Sequence, residues 1–189
     1  MNWITNFIFF QIGWFACVLG GANGMPWLGV VMTGLALAFH LWQAAQPRLE
    51  LILALLAGGL GGLLDSLPVA LGWLTYPSGM FLTGAAPSWI IAMWMLFATT
   101  LNVSLRWLKG RYVLAALLGA AAGPLAYYAG AKLGGVTLLE PTAALSLLAL
   151  IWAVAMPTLL ALASRFDGMA EPARPSLALE GCTVTERSG

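Results

Sequence analysis

Apolar residues run almost unbroken through six long stretches of the chain, and the few charged residues fall in the short gaps between them. A helix needs about 20 apolar residues to cross the hydrocarbon core of a bilayer. Stretches at about 4–22, 26–45, 50–74, 87–107, 112–133 and 141–163 meet that length. The pattern therefore predicts an all-α membrane protein, a bundle of six transmembrane helices. The third and fourth are joined by the uncharged segment TYPSGMFLTGAAPS. From Asp167 the chain turns to Pro, Ser, Glu and Arg, a composition that reads as a disordered cytoplasmic tail. The expected division is a transmembrane domain over 1–165 and a tail over 166–189.

Charges orient the bundle. Arg48, Arg106, Lys109, Arg111 and Arg165 all fall on one side of the predicted topology, and Lys132 stands near the other. Short loops rich in Lys and Arg stay in the cytoplasm, so both termini are expected inside. Trp3, Trp27, Trp42, Trp73, Trp89 and Trp107 fall near helix ends, where amphipathic rings favour the headgroup layer. Pro26, Pro87 and Pro141 each open a helix entering from outside, where the missing N–H costs nothing.

Composition agrees and removes several function classes. The chain is 61% hydrophobic and 8% charged, against about a quarter charged in soluble domains. A net charge of +1 with no basic run leaves nucleic-acid binding without footing. Cys17 lies in an apolar stretch and Cys182 in the tail, so no disulfide is expected. The N-terminus lacks the basic region of a cleaved signal peptide, and Trp14 stands where a lipoprotein signal would carry leucine before Cys17. The first stretch is read as a retained helix. One histidine excludes a multi-histidine metal centre, and neither G-x-S-x-G nor a Walker A sequence occurs. No metal and no cofactor is expected.

Ionisable groups deep in a membrane are costly and mark function or structural ties. Asp65 lies fifteen residues after Glu50, roughly 22 Å along a helix at 1.5 Å per residue. It shares a face with Gly58, Gly61 and Gly62, a small-residue stripe that admits close packing. Gly119, Gly123, Tyr127, Gly130 and Gly134 form a matching stripe on the fifth helix. The third and fifth helices run the same way, so the stripes are expected to face each other with Asp65 and Tyr127 at similar depth. Lys132 either snorkels outward or folds back to Asp65.

A second polar group gathers toward the cytoplasmic side: His40 and Gln43 on the second helix, Asn6 and Gln11 on the first, and a stripe of Thr99, Asn102 and Arg106 on the fourth. Arg48 and Glu50 read as an interfacial pair, or with the others as the lining of a cytoplasmic cavity. Glu140 is expected to cap the sixth helix, and Pro68, Pro124 and Pro157 to kink their helices. The two halves repeat at an offset of about 86 residues with "NWI" echoed by "SWI", but identity elsewhere is at chance, so an inverted repeat is not established.

The segments NFIFFQIGWFACVLGGA, AFHLW, RLELIL leading to GGLLD, PSWIIAMWMLFATTLNVSLRWL and GAAAGPLAYYAGAKLG resemble a family of small bacterial polytopic inner-membrane proteins built on a domain of unknown function. The resemblance covers about residues 4–160. It implies a multi-pass protein of the bacterial inner membrane, assigns no activity, and inclines the reading toward lipids. The expected role is transport or handling of a small or lipid-like molecule, by alternating exposure of a site between the third and fifth helices. Asp65 would be its proton-linked carboxylate and Tyr127 its partner, with His40 in a cytoplasmic gate. Two alternatives stand beside it: a lipid-modifying enzyme using His40 or Asp65 as acid–base, and a non-catalytic assembly partner that buries its glycine faces against another subunit. Besides the bilayer itself, a homodimer or a membrane-protein partner is the expected association.

Overall fold

The computed structural model describes residues 2–170. In them the apolar runs become six α-helices: α1 (Trp3–Ala22), α2 (Pro26–Gln43), α3 (Pro47–Ala70), α4 (Ser88–Leu101), α5 (Tyr112–Lys132) and α6 (Pro141–Arg165). Two short strands, β1 (Leu74–Thr75) and β2 (Thr137–Leu138), pair antiparallel with Leu74 opposite Leu138. Four helices, α1, α3, α5 and α6, are long and apolar enough to cross a membrane. Large apolar side chains such as Leu63, Leu117, Leu150 and Val154 stand exposed on the outer faces. An apolar exterior of that extent is tolerated by hydrocarbon and not by water. These are the features of a helical membrane protein.

The remaining two helices fall short of the expected spans. The 18-residue α2 ends in His40, Leu41, Trp42 and Gln43. Fourteen residues make α4 about 21 Å long, where the sequence pattern carries the span on to Trp107. The break has a local cause. Thr99 and Thr100 turn their hydroxyls back onto the carbonyls of Leu96 and Phe97, and Asn102 and Ser104 spend their side chains on other helices. Such residues compete with the helical ladder. The chain passes through a turn into a 3₁₀ segment at Arg106–Leu108, so Thr99, Asn102 and Arg106 do not form one helical stripe.

At the opposite end three helices stop alike. Gly24, Gly72 and Gly134 have φ of 71°, 71° and 83°, a region open to glycine because it lacks Cβ. At each the next two amides bond back into the last turn, as in Trp73 N to Pro68 O and Gly72 N to Val69 O, the Schellman arrangement. The chain then re-enters through Pro26 and Pro141 at the first helical turn, whereas Pro87 sits one position earlier as the N-cap of α4. Glu140 precedes α6 but its side chain caps nothing; its amide is taken by Trp73 O. Pro68, Pro124 and Pro157 lie inside α3, α5 and α6.

Helices pack as sequential pairs, α1 on α2, α3 on α4 and α5 on α6, with α4 central against α1, α2 and α3. The expected seam between α3 and α5 does not form. A Cβ at Gly58, Gly61 or Gly62 would meet Met95, Trp94 or Ile91 of α4, and one at Gly119 or Gly123 would meet Trp152 of α6. Both glycine stripes make room for side chains of the adjacent helix in sequence. The α5–α6 hairpin joins the other helices mainly through α6, and α1 and α5 share no extensive contact.

Candidate binding cavity

Between α1 and α5, over the face of α4, lies a cavity of about 350 Å³. Its walls are Phe10, Trp14, Met93, Phe97 and Met156 together with the small residues Gly119, Ala122, Gly123 and Ala126. Gly135 and Val136 close it at the β1–β2 end, where Gly135 packs against Val18 of α1. The two helices on either side of it, α1 and α5, are not packed together.

The polar part of the cavity centres on Asp65, which is fully buried. Its Oδ2 accepts the Trp94 Nε1–H at 2.7 Å, and its Oδ1 has no hydrogen-bond partner among the described residues. Tyr127 and Tyr76 border the same space. The Tyr76 hydroxyl and Trp152 Nε1 are also buried without a partner among the described residues. Tyr76 reaches the cavity from the β1–α4 connection, held edge-on to Trp89 with ring centroids 5.3 Å apart. Ser78 fixes that connection by donating to Gly21 O and by accepting Trp89 Nε1–H on its carbonyl.

Four helices contribute to one stack behind the carboxylate. Gly61 of α3 lies against the Trp94 indole. Trp94 stacks on Trp152 at 4.5 Å and 15°, and Trp152 lies in turn against Gly123 of α5. Phe97 meets Trp152 edge-on. Offset and edge-on aromatic pairs add about 0.5–1.5 kcal/mol each beyond their burial. The indole N–H that Asp65 accepts is thereby fixed in place by packing.

Of the residues singled out from sequence, Asp65 and Tyr127 come together here, with Gln11 further along the wall. Lys132 does not fold back; its Nζ sits 5.2 Å from the Tyr128 ring centroid. His40 and Asn102 meet elsewhere, at the end of the bundle that carries the Arg and Lys residues. His40 Nε2 is 2.8 Å from Glu50 Oε2, and Glu50 Oε1 accepts Asn102 Nδ2 and Gly168 N, both at 2.7 Å. Glu50 is buried and Arg48 exposed, so the expected Arg48–Glu50 pair gives way to His40–Glu50. Asn6 donates to Thr99 O and takes Ser104 Oγ–H. These polar groups bond one another and do not line the cavity. Gln43 is half-buried and joins neither cluster; Arg111 lies over the Trp107 ring.

Residues Phe166–Ala170, assigned from sequence to the tail, form a docked strap; the rest of that tail, 171–189, lies outside the described residues. Asp167 bridges Lys109 and Arg106, each at 2.8 Å. Partial burial alone would raise its pKa, but the hydrogen bond and charge of Lys109, with the Ala170 amide and Arg106, hold the carboxyl below its ordinary 3.8. Gly168 is pressed against Gln46 and Glu50, where a Cβ has no room. The strap ties α6 to the ends of α2, α3 and α4.

Trp94, Trp152, Tyr76 and Gly168 were not among the sequence candidates. One signal for the first two was present. Three tryptophans are not accounted for by helix ends, Trp14, Trp94 and Trp152, and all three line the cavity.

Fold and cavity together define a polytopic helical protein with an amphipathic internal site. The chain belongs to the family described as Protein of unknown function (DUF2878), which matches residues 3–158. No curated protein and no solved structure matches it.

Proposed function

We propose that the protein takes up a lipid-like amphiphile from the bilayer through the gap between α1 and α5 and holds it for transport or transfer. The observation that carries this is a cavity with apolar walls, flanked by two helices that are not packed together, beside buried polar atoms lacking partners among the described residues. Sites of about 300–1,000 Å³ with few polar groups among apolar walls are the usual form of small-molecule pockets. At about 350 Å³ the space suits a single apolar chain better than a diacyl lipid. In this reading all six helices cross or enter a bacterial inner membrane with both termini cytoplasmic, the break after Leu101 being stabilised by side chains of neighbouring helices.

The reading replaces alternating exposure between α3 and α5 with lateral exchange, since α5 and α6 are clasped by β1–β2 at one end and by the strap at the other. It leaves Asp65 and Tyr127 as ligand-binding groups and His40 as part of the strap's anchor. An acid–base role for His40 draws less support, because the residue is buried away from the cavity. An assembly role through the glycine faces also draws less, because side chains of the same chain fill them.

Photolabelling tests the proposal. A diazirine-bearing alkyl probe in nanodiscs is expected to label cavity residues such as Phe10, Met93 and Ala126. Ala122→Trp should suppress that labelling and leave labelling of Leu150 on the outer face intact. Labelling confined to outer faces in the unmodified protein overturns the reading.

A further inference from the structure

We propose that the amphiphile held in this cavity carries a cationic head, an ammonium group on an apolar body, with Asp65 as its counter-ion. The inference rests on the reading of the cavity as a binding site and names the ligand class.

The charge balance of the site leads there. Among the described residues that line the cavity there is one carboxylate and no Lys, Arg or His. The cations elsewhere in the described chain are otherwise engaged or distant. Arg106 and Lys109 hold Asp167, Arg111 lies over Trp107 and Lys132 over Tyr128, and His40 pairs with Glu50. Arg48 and Arg165 are exposed at the bundle end far from Asp65. A buried carboxylate normally has a paired charge, and here the protein supplies neutral groups: the Trp94 N–H on one oxygen and the neighbouring Tyr127 hydroxyl.

Asp65 borders a space walled by aromatic rings. Trp14, Trp89, Trp94, Phe97, Tyr76 and Tyr127 all contribute to it. Aromatic faces attract cations through the ring quadrupole, most strongly where water is excluded. An ammonium among these rings would lie beside the Asp65 carboxylate, while an alkyl body fills the space between Phe10 and Met156. An anionic head has the opposite fate: it would meet the carboxylate and find no cation. A neutral alcohol would bring no charge to balance the carboxylate.

Head-group ranking on the unmodified full-length protein in micelles tests this, read by tryptophan fluorescence with decylammonium, decanol and decanoate as probes. Decylammonium should bind about tenfold or more tighter than decanol, and decanoate should not bind. Asp65→Asn should bring decylammonium down to the level of decanol without changing decanol itself. Decanol binding as tightly as decylammonium in the unmodified protein overturns the cationic assignment and leaves the cavity reading standing. If no probe binds, or if Ala122→Trp fails to reduce any of the signals, the cavity reading falls as well. The ranking needs no variant, so a misfolded Asp65→Asn does not blunt it.

Discussion

Trp94 makes two contacts that constrain it in perpendicular directions: its N–H ends on Asp65 at 2.7 Å, and its ring stacks on Trp152 with centroids 4.5 Å apart. The indole cannot rotate to release the carboxylate without unstacking from α6. Nor can it retreat, because Gly61 leaves it only the thickness of a hydrogen atom on the other side. The side chains that present Asp65 to the cavity are therefore part of the packing of the bundle.

Gly61→Leu is expected to displace Trp94 and break both contacts. Overpacking of a filled core costs about 1–3 kcal/mol, and loss of the Asp65 hydrogen bond adds to it. A lowered unfolding midpoint in micelles, compared with Gly59→Leu, checks this; Gly59 faces open space and its substitution should be close to neutral. Equal effects at both positions would sink the stacking argument.

Glu50→Ala should destabilise the strap end, by about 3 kcal/mol, since His40, Asn102 and the Gly168 amide each lose a buried partner. Cavity photolabelling of the protein that remains folded should be unchanged. A loss of labelling with no loss of stability would put the His40–Glu50 pair back into the functional machinery.

The Asp167 clasp has a definite pH dependence. Its carboxyl titrates lower in the folded chain than its ordinary 3.8, so folding is favoured by the ionised form. That contribution is complete above about pH 4 and is lost as pH falls through the depressed folded value. Amide exchange at Gly168–Ala170, corrected for intrinsic rates, should be flat from pH 7 to 5 and rise below 4. In Asp167→Asn it should be fast throughout. A transition near neutral pH would assign the switch to another group.

Reporter fusions at the C-terminus give the orientation. Green fluorescent protein should fluoresce there and alkaline phosphatase should be inactive. The reverse pattern would invert the bundle, and with it the assignment of the His40–Glu50 end to the cytoplasm.

The helices were legible because long apolar runs leave little alternative and because glycine and proline punctuate their ends. That Asp65 and Tyr127 would border one space was legible because two helices running the same way place residues at comparable depth. What periodicity could not show is which faces meet. Each glycine stripe predicts a close neighbour but not its identity, so the matching stripes of α3 and α5 suggested a shared seam when residues of α4 and α6, Trp94 and Trp152 among them, meet them instead. Glu50 was read with Arg48, two residues away, because its real partners lie ten, fifty-two and 118 residues along the chain. The end of α4 was missed because Thr, Leu, Asn, Val and Ser are each tolerated in a helix; only the bonds their side chains make, back onto α4 and across to other elements, break it.

The gap between α1 and α5 has a consequence for how affinity must be expressed. A ligand arriving sideways comes from the membrane phase, so occupancy follows its mole fraction among lipids and not its aqueous concentration. Diluting the protein with buffer at a fixed lipid-to-ligand ratio should leave occupancy constant, whereas adding empty vesicles should strip the ligand away.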